Sequence, residues 1–201
     1  FALLAADRPE DARMEAEGAI KRWSSRGFHL QHWCAMFAQA HAFIYEGDGR
    51  RALDLVEAAF KPSKKSFLLR SQTPRVQTHQ IRARAALAAA RRDPRLFKQI
   101  EADTALLERE ETAWTDAYAF ALRAGVAAVR GDARQAADLF HRAAMVFEFQ
   151  GMAMHAAGSR RRRGELLGGD EGRALVEAAD AWMIGRKIRS PERMTALLFP
   201  A

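Results

Sequence analysis

The stretch VRGDARQAADLF, residues 129–140, sets a Gly-Asp pair ahead of apolar residues at fixed offsets. Counting four, eight and eleven from Asp132 reaches Ala136, Phe140 and Ala143. On an α-helix those offsets return to one face. Small residues at the first and third positions admit a neighbouring helix closely, and the large middle one fills the gap between pairs. The phrase EGDGRRALDLVEAA repeats the pattern from Asp48 with Ala52, Val56 and Ala59, and GGDEGRALVEAADA repeats it from Asp170 with Ala174, Ala178 and Ala181.

The aspartates at the turn phrases are Asp7, Asp48, Asp93, Asp132 and Asp170, separated by 41, 45, 39 and 38 residues. Self-similarity at such a period is the mark of stacked supersecondary units. Each aspartate suits an N-cap, where its carboxylate accepts from the unpaired amides of the next helix. Pro9 and Pro94 suit first-turn positions, and Gly27 and Gly151 suit helix ends. Helices are expected over Phe1–Ala6, Pro9–Ser25, Leu30–Glu46, Arg50–Phe60, Lys64–Arg91, Pro94–Arg109, Glu111–Arg130, Ala133–Phe149, Met152–Leu167, Glu171–Lys187 and Pro191–Leu198. Short turns force successive helices to pack antiparallel. The expectation is an all-α solenoid of about five helix hairpins, a single domain over residues 1–201, closed by a short C-terminal capping helix. The start FALLAA reads as a helix already under way, which points to a piece of a longer chain.

The bulk numbers agree with helices. Hydrophobic residues make up 49% of the 201 residues and charged ones 28%, strand-favouring types are sparse, and no apolar run is long enough to span a membrane. The single cysteine, Cys34, excludes an internal disulfide and points to a reducing, cytoplasmic setting.

The small–aromatic–small pattern after a Gly-Asp turn resembles the second helix of the tetratricopeptide repeat. Ala136, Phe140 and Ala143 fit that pattern, and Ala40, Ala85 and Ala124 fit the small position of its first helix. The period exceeds the family's usual length, the first-helix Trp–Leu–Gly–Tyr signature is absent, and the copy at Asp93 is degenerate. The end GGDEGRALVEAADAWMIGRKIRSPERMTALLFP is similar to the C-terminal tails of large bacterial signalling proteins, serine/threonine kinases above all. Together these resemblances imply a right-handed, TPR-like solenoid serving as a non-catalytic tail, with any kinase or ATPase domain lying upstream.

No phosphate-cradling loop and no kinase motif occurs, and no cofactor is expected. His29 and His32 lack a third metal ligand nearby and suit a capping or surface role. Cys34, between Trp33 and Ala35, reads as a core thiol, and Trp23, Trp33, Trp114 and Trp182 read as hairpin-packing residues. Arg160–Arg163 fan across about 300° of a helix, so they cannot all face one ligand. From Lys61 to Lys98 there are eleven Lys/Arg against one acid, Asp93, more charge than the chain's net +7. On a continuous helix Lys64, Arg75 and Arg82 lie within about 20° of one line, with His79 about 60° from it.

Counted from Ala85, His79 and Arg82 occupy places that in tetratricopeptide repeats line the concave groove. The resemblance therefore implies a groove with Lys64, Arg75, His79 and Arg82 on it, and the same count puts Phe37 and His41 on one side and Tyr118 on the other. That set fits a groove for a protein or peptide segment, an acidic one above all, and it equally fits a solvated basic face. Nucleic-acid binding by a transcription regulator is the alternative, favoured by a pI near 10.2 and disfavoured by the lack of aromatic residues along the stripe.

Overall fold

The computed structural model describes residues 1–200, which are all-α, with no strand among them. Eleven helices follow one another: α1 (Ala2–Ala5), α2 (Pro9–Lys21), α3 (Leu30–Tyr45), α4 (Gly49–Lys65), α5 (Gln72–Ala90), α6 (Phe97–Glu108), α7 (Ala113–Val129), α8 (Ala133–Phe149), α9 (Ala153–Leu167), α10 (Gly169–Ile184) and α11 (Pro191–Leu198). Each helix from α1 to α10 packs on its neighbours in sequence. In addition α3 packs on α5 and α5 on α7, which makes these helices an inner row.

Several starts follow from local chemistry. Asp48 and Asp132 accept from the backbone amides of Arg51 and Gln135, and Ser190 accepts from that of Arg193. His29 heads α3, its amide donating to Nδ1 of His32. From Asp48 and Asp132, the residues at offsets four, eight and eleven are buried: Ala52, Val56 and Ala59 in α4, and Ala136, Phe140 and Ala143 in α8.

Two expected starts are displaced, and the spacing explains both. Asp170 lies inside α10, whose first turn begins at Gly169 behind the positive-φ Gly168. Ala174, Ala178 and Ala181 are therefore exposed. Counting from Gly168 instead gives Gly172, Val176 and Ala179, two buried residues around a half-buried one. A Cβ at Gly172 would stand 2.4 Å from the Gly164 carbonyl oxygen, so α9 and α10 cross in near backbone contact. Asp93 caps a short 3-10 turn, Pro94–Leu96, and α6 starts after it. Counting from Leu96 gives Ile100, Thr104 and Leu107, all buried. Asp7 is not a cap: at φ 57° its carboxylate accepts from the Tyr45 hydroxyl at 2.8 Å.

The expected long helix from Lys64 to Arg91 is also corrected. Helix α4 runs through Pro62 to Lys65, with the Ser63 hydroxyl donating to the Ala59 carbonyl in that turn. The break falls at Phe67, in the left-handed region at φ 63°, and a 3-10 turn over Leu68–Arg70 precedes α5. Pro74, the third residue of α5, interrupts nothing because first-turn amides have no intrahelical partner.

The largest correction concerns α11, which does not cap an end of the array. It packs on α3 and α9, from opposite parts of the chain, and on α10. Residues 188–200 therefore cross the inner row. The Arg189 amide donates to the Ala5 carbonyl at 2.8 Å, and the Arg193 guanidinium lies 4.4 Å over the Tyr45 ring. Farther on, Arg84 of α5 donates to the Leu197 carbonyl and Arg162 of α9 to the Phe199 carbonyl. Met194, Leu197, Leu198 and Phe199 are all at most 3% exposed, whereas α2 buries no residue fully. Each such side chain contributes roughly 1.5–3 kcal/mol relative to exposure.

The revised register of α10 makes a sharp prediction at adjacent residues. Ala179→Leu overfills the α9–α10 contact and should cost about 1–3 kcal/mol, while Ala178→Leu, pointing to solvent, should change stability by under about 0.5 kcal/mol. Chemical denaturation of the two variants distinguishes this register from the one counted from Asp170.

Candidate functional site

The structure separates the seven residues of the expected groove into two groups. Lys64, Arg75, His79 and Arg82 line one cleft of about 550 Å³, together with Phe60, Phe67, Leu69, Arg70 and Leu106. Phe37, His41 and Tyr118 lie elsewhere, on helices α3 and α7 of the inner row, where His41 and Tyr118 border the pocket under Leu197–Phe199. The division has a geometric cause: Arg75, His79 and Arg82 lie on the side of α5 that meets Asp103 and Glu110, while the inner row meets the opposite side, where Arg84 lies. The break at Phe67 also takes Lys64 off the axis of α5, so it reaches the cleft from the end of α4.

Most of the charge in that cleft is compensated. Arg75 grips Glu110 through Nε at 2.6 Å and Nη2 at 2.8 Å. The Arg75 guanidinium hydrogen-bonded to Glu110 holds that carboxyl below its usual range. Arg82 binds both oxygens of Asp103, at 2.6 and 2.9 Å, and His79 Nδ1 is 2.7 Å from the same carboxylate. Asp103 is wholly buried, and Arg82 also lies 4.0 Å from the Phe60 ring centre. Arg75, His79 and Arg82 thus tie α5 to α4, to α6 and to the turn after it, and they are not a free basic stripe. Lys64 remains exposed.

About 200° round α5 from Arg82, two residues on, is the side that faces the inner row. Here Arg84, 3% exposed, donates through Nη1 to the Leu197 carbonyl at 3.1 Å, and its Nη2 stands 2.7 Å from His41 Nε2. Since a guanidinium can only donate, His41 Nε2 accepts; Nδ1 then carries the proton and donates to the Phe37 carbonyl at 2.6 Å. No carboxylate among the described residues reaches Arg84. Burial lowers its pKa to about 10, so it stays cationic at neutral pH. Its Nε has no protein partner, nor has Oε1 of Gln80, itself 2% exposed. Both side chains line a void of about 10 Å³ shared with Tyr118, Leu198 and Phe199.

Aromatic rings frame this polar centre. Trp33 stacks on Phe37 at 5.0 Å, and Phe37 meets His41 edge-on at 4.3 Å. On the other side Tyr118 packs on Phe147 and His155, and Phe199 packs on Phe140, Phe147 and His155. The glycines of the inner helices give room: a Cβ at Gly158 would meet the Phe199 ring at 3.0 Å, and one at Gly125 would meet the Pro200 carbonyl oxygen at 3.2 Å.

Sequence reasoning named Phe37, His41 and Tyr118, which sit on the inner row; it did not single out Gln80, Arg84 or His155, and named Arg162 only within the run Arg160–Arg163. The signal was present for Arg84: in RARAALAAA it sits among alanines and two residues from Arg82, hence on the opposite face. The other cationic run disperses, Arg160 pairing with Glu148, Arg161 with Asp180 and Glu165, Arg162 with Glu165 and Arg163 with Glu171. Cys34 is exposed and not a core thiol, lining a shallow groove between α2 and α3 beside Trp23. No three His, Cys, Asp or Glu side chains among the described residues converge as a metal site. No helix among them is long and apolar enough to cross a membrane.

Comparison with protein-family models, with curated proteins and with solved structures finds no match in any of the three.

The buried histidines set a pH dependence. Burial, reinforced by Arg84, lowers His155 to about 3 and His41 well below its ordinary value. The unfolded chain takes up a proton at each near pH 6.5 and the folded chain does not, so stability is full above that pH and falls as pH drops below it. Between pH 7.5 and 5.0 each histidine should remove about 2 kcal/mol. His155→Gln should recover roughly half of the loss, measured by denaturant titration at the two pH values; an unchanged loss would contradict the placement of His155.

Proposed function

We propose that this chain is a non-catalytic interaction module, a right-handed TPR-like solenoid whose concave face receives a segment of another protein. The observation that carries this reading is that the inner row already holds a segment, residues 188–200. That segment is gripped along its backbone by Arg84 and Arg162 and seated by its apolar side chains. These are the elements of peptide recognition in a helical groove: hydrogen bonds to main chain for hold, pockets for side chains for selection. Glycines at the points of closest approach give the face room for such an occupant.

The likeness of the C-terminal residues to tails of bacterial serine/threonine kinases supports placing the module in a signalling protein, beside a catalytic domain. In that setting residues 188–200 are a resident occupant that a partner segment displaces. An occupant tethered to its own groove acts at a high effective concentration, so a partner must bind better than the resident or wait for it to loosen.

The test uses the full chain carrying Phe199→Ala, which loosens the resident by removing its largest buried ring. A fluorescent peptide of residues 188–200, amidated at its end, should bind this chain saturably in anisotropy titrations and bind the wild type far more weakly. The binding should change only modestly with salt, because the contacts are mostly apolar and to main chain, with the exposed Arg193–Asp7 pair the ionic one. A single-stranded oligonucleotide bound more tightly, with affinity falling steeply as salt rises, would favour nucleic acid instead. No saturable peptide binding by a variant of unchanged helicity overturns the reading.

A further inference from the structure

The resident segment leaves one demand of the groove unmet. Arg84 is a buried cation whose neighbours are a backbone carbonyl, a neutral imidazole nitrogen and one unpartnered atom of its own. A carbonyl oxygen is a partial charge, and burying a guanidinium against it forfeits most of the hydration lost. The second unpartnered atom, Gln80 Oε1, belongs to the same pocket. By contrast Arg75, Arg82, Arg161 and Arg162 each have a carboxylate. Arg84 is thus the guanidinium most deeply enclosed in the inner row, and it lies under the one part of the fold that crosses that row. The pocket walls around it are aromatic and aliphatic, and the void left beside Leu198 and Phe199 holds at most one water.

We propose that Arg84 is the carboxylate-binding centre of the groove, and that the segment it is built to receive carries an Asp or Glu side chain there, flanked by aliphatic or aromatic residues. This rests on the reading of the inner row as a segment receptor. Residues 188–200 supply the flanking side chains, Leu197, Leu198 and Phe199, but offer Arg84 only the Leu197 carbonyl. They are a placeholder that seals the pocket without neutralising it. A partner with a carboxylate at that point gains a charge-assisted, bidentate contact that the placeholder lacks, with Nε and an Nη of Arg84 as paired donors. That difference lets a partner overcome the advantage of a tethered competitor. Gln80 assists through its amide N–H groups, the donor end of the side chain whose oxygen is now unpartnered.

Amidated peptides of residues 188–200 carrying Glu or Gln at position 194, 197 or 198 test this against the full Phe199→Ala chain. Glu and Gln match in shape and differ in charge, so their ratio of affinities reads the charge alone. At one or more of the three positions Glu should bind about ten- to a hundredfold tighter than Gln. That preference should vanish when the chain also carries Arg84→Gln or Arg84→Met. Gln keeps a donor for the Leu197 carbonyl while removing the buried charge, Met removes both, and two replacements guard against one that packs badly. Binding of the parent peptide with no preference for Glu at any position overturns the carboxylate centre while leaving the receptor standing. A preference that survives both Arg84 replacements also overturns it. Failure of every peptide, the parent included, defeats the receptor reading itself.

Discussion

The docking of residues 188–200 across α3, α5, α7 and α9 is the contact on which the arrangement of the rest depends. A row of helix hairpins holds each unit only through its neighbours, so its curvature is free to vary and its ends are weak. Here one segment touches Ala5 and Tyr45 near the first helices and Phe140, Phe147 and Gly158 near the last. The Arg84–Leu197 hydrogen bond spans 113 residues of sequence. Such a strap fixes the curvature of the row and fills its inner face at once. It also couples the two properties: whatever loosens the segment also releases the curvature.

The charge distribution divides along the same geometry. On the side of α5 away from the strap, Arg75 and Arg82 are consumed by Glu110 and Asp103, and the pairs serve to lock adjacent helices. Breaking a buried pair such as Arg82–Asp103 leaves an uncompensated charge, which makes it a structural fixture. On the strapped side, Arg84 has no such partner. The excess of basic residues between Lys61 and Lys98 is therefore a poor guide to a binding surface, because its members point in different directions and most of those on α5 are already satisfied.

Local chemistry was legible in the sequence, and long-range docking was not. The caps at Asp48, Asp132 and Ser190 and the buried triplets after the first two follow from residue type and spacing alone. The triplets of α6 and α10 obey the same spacing, but their origin moved to Leu96 and Gly168, since a 3-10 turn and a Gly-Gly pair shifted the first helical residue. The pattern of Met194, Leu197 and Leu198 says that one face of α11 is buried, yet periodicity does not say against what, and an end cap and a strap read alike. Phe37, His41 and Tyr118 fall on the inner face because the small-residue positions that index them are regular. Arg75, His79 and Arg82 fall on the other side of α5, drawn to Glu110 and Asp103 across the sequence, and Lys64 joins them from α4 because the chain breaks at Phe67, a residue with no turn preference.

The central claim is that the strap is an occupant of the groove, separable from the helices that form it. Hydrogen–deuterium exchange on the full chain, followed by mass spectrometry, tests this directly. The account predicts that the amides of residues 191–199 exchange through an opening of their own, well before those of α5 and α7, and that Phe199→Ala accelerates that exchange while leaving α7 protected. Exchange of residues 191–199 in step with α5 and α7, in both proteins, would make the strap an inseparable part of the core and contradict the account.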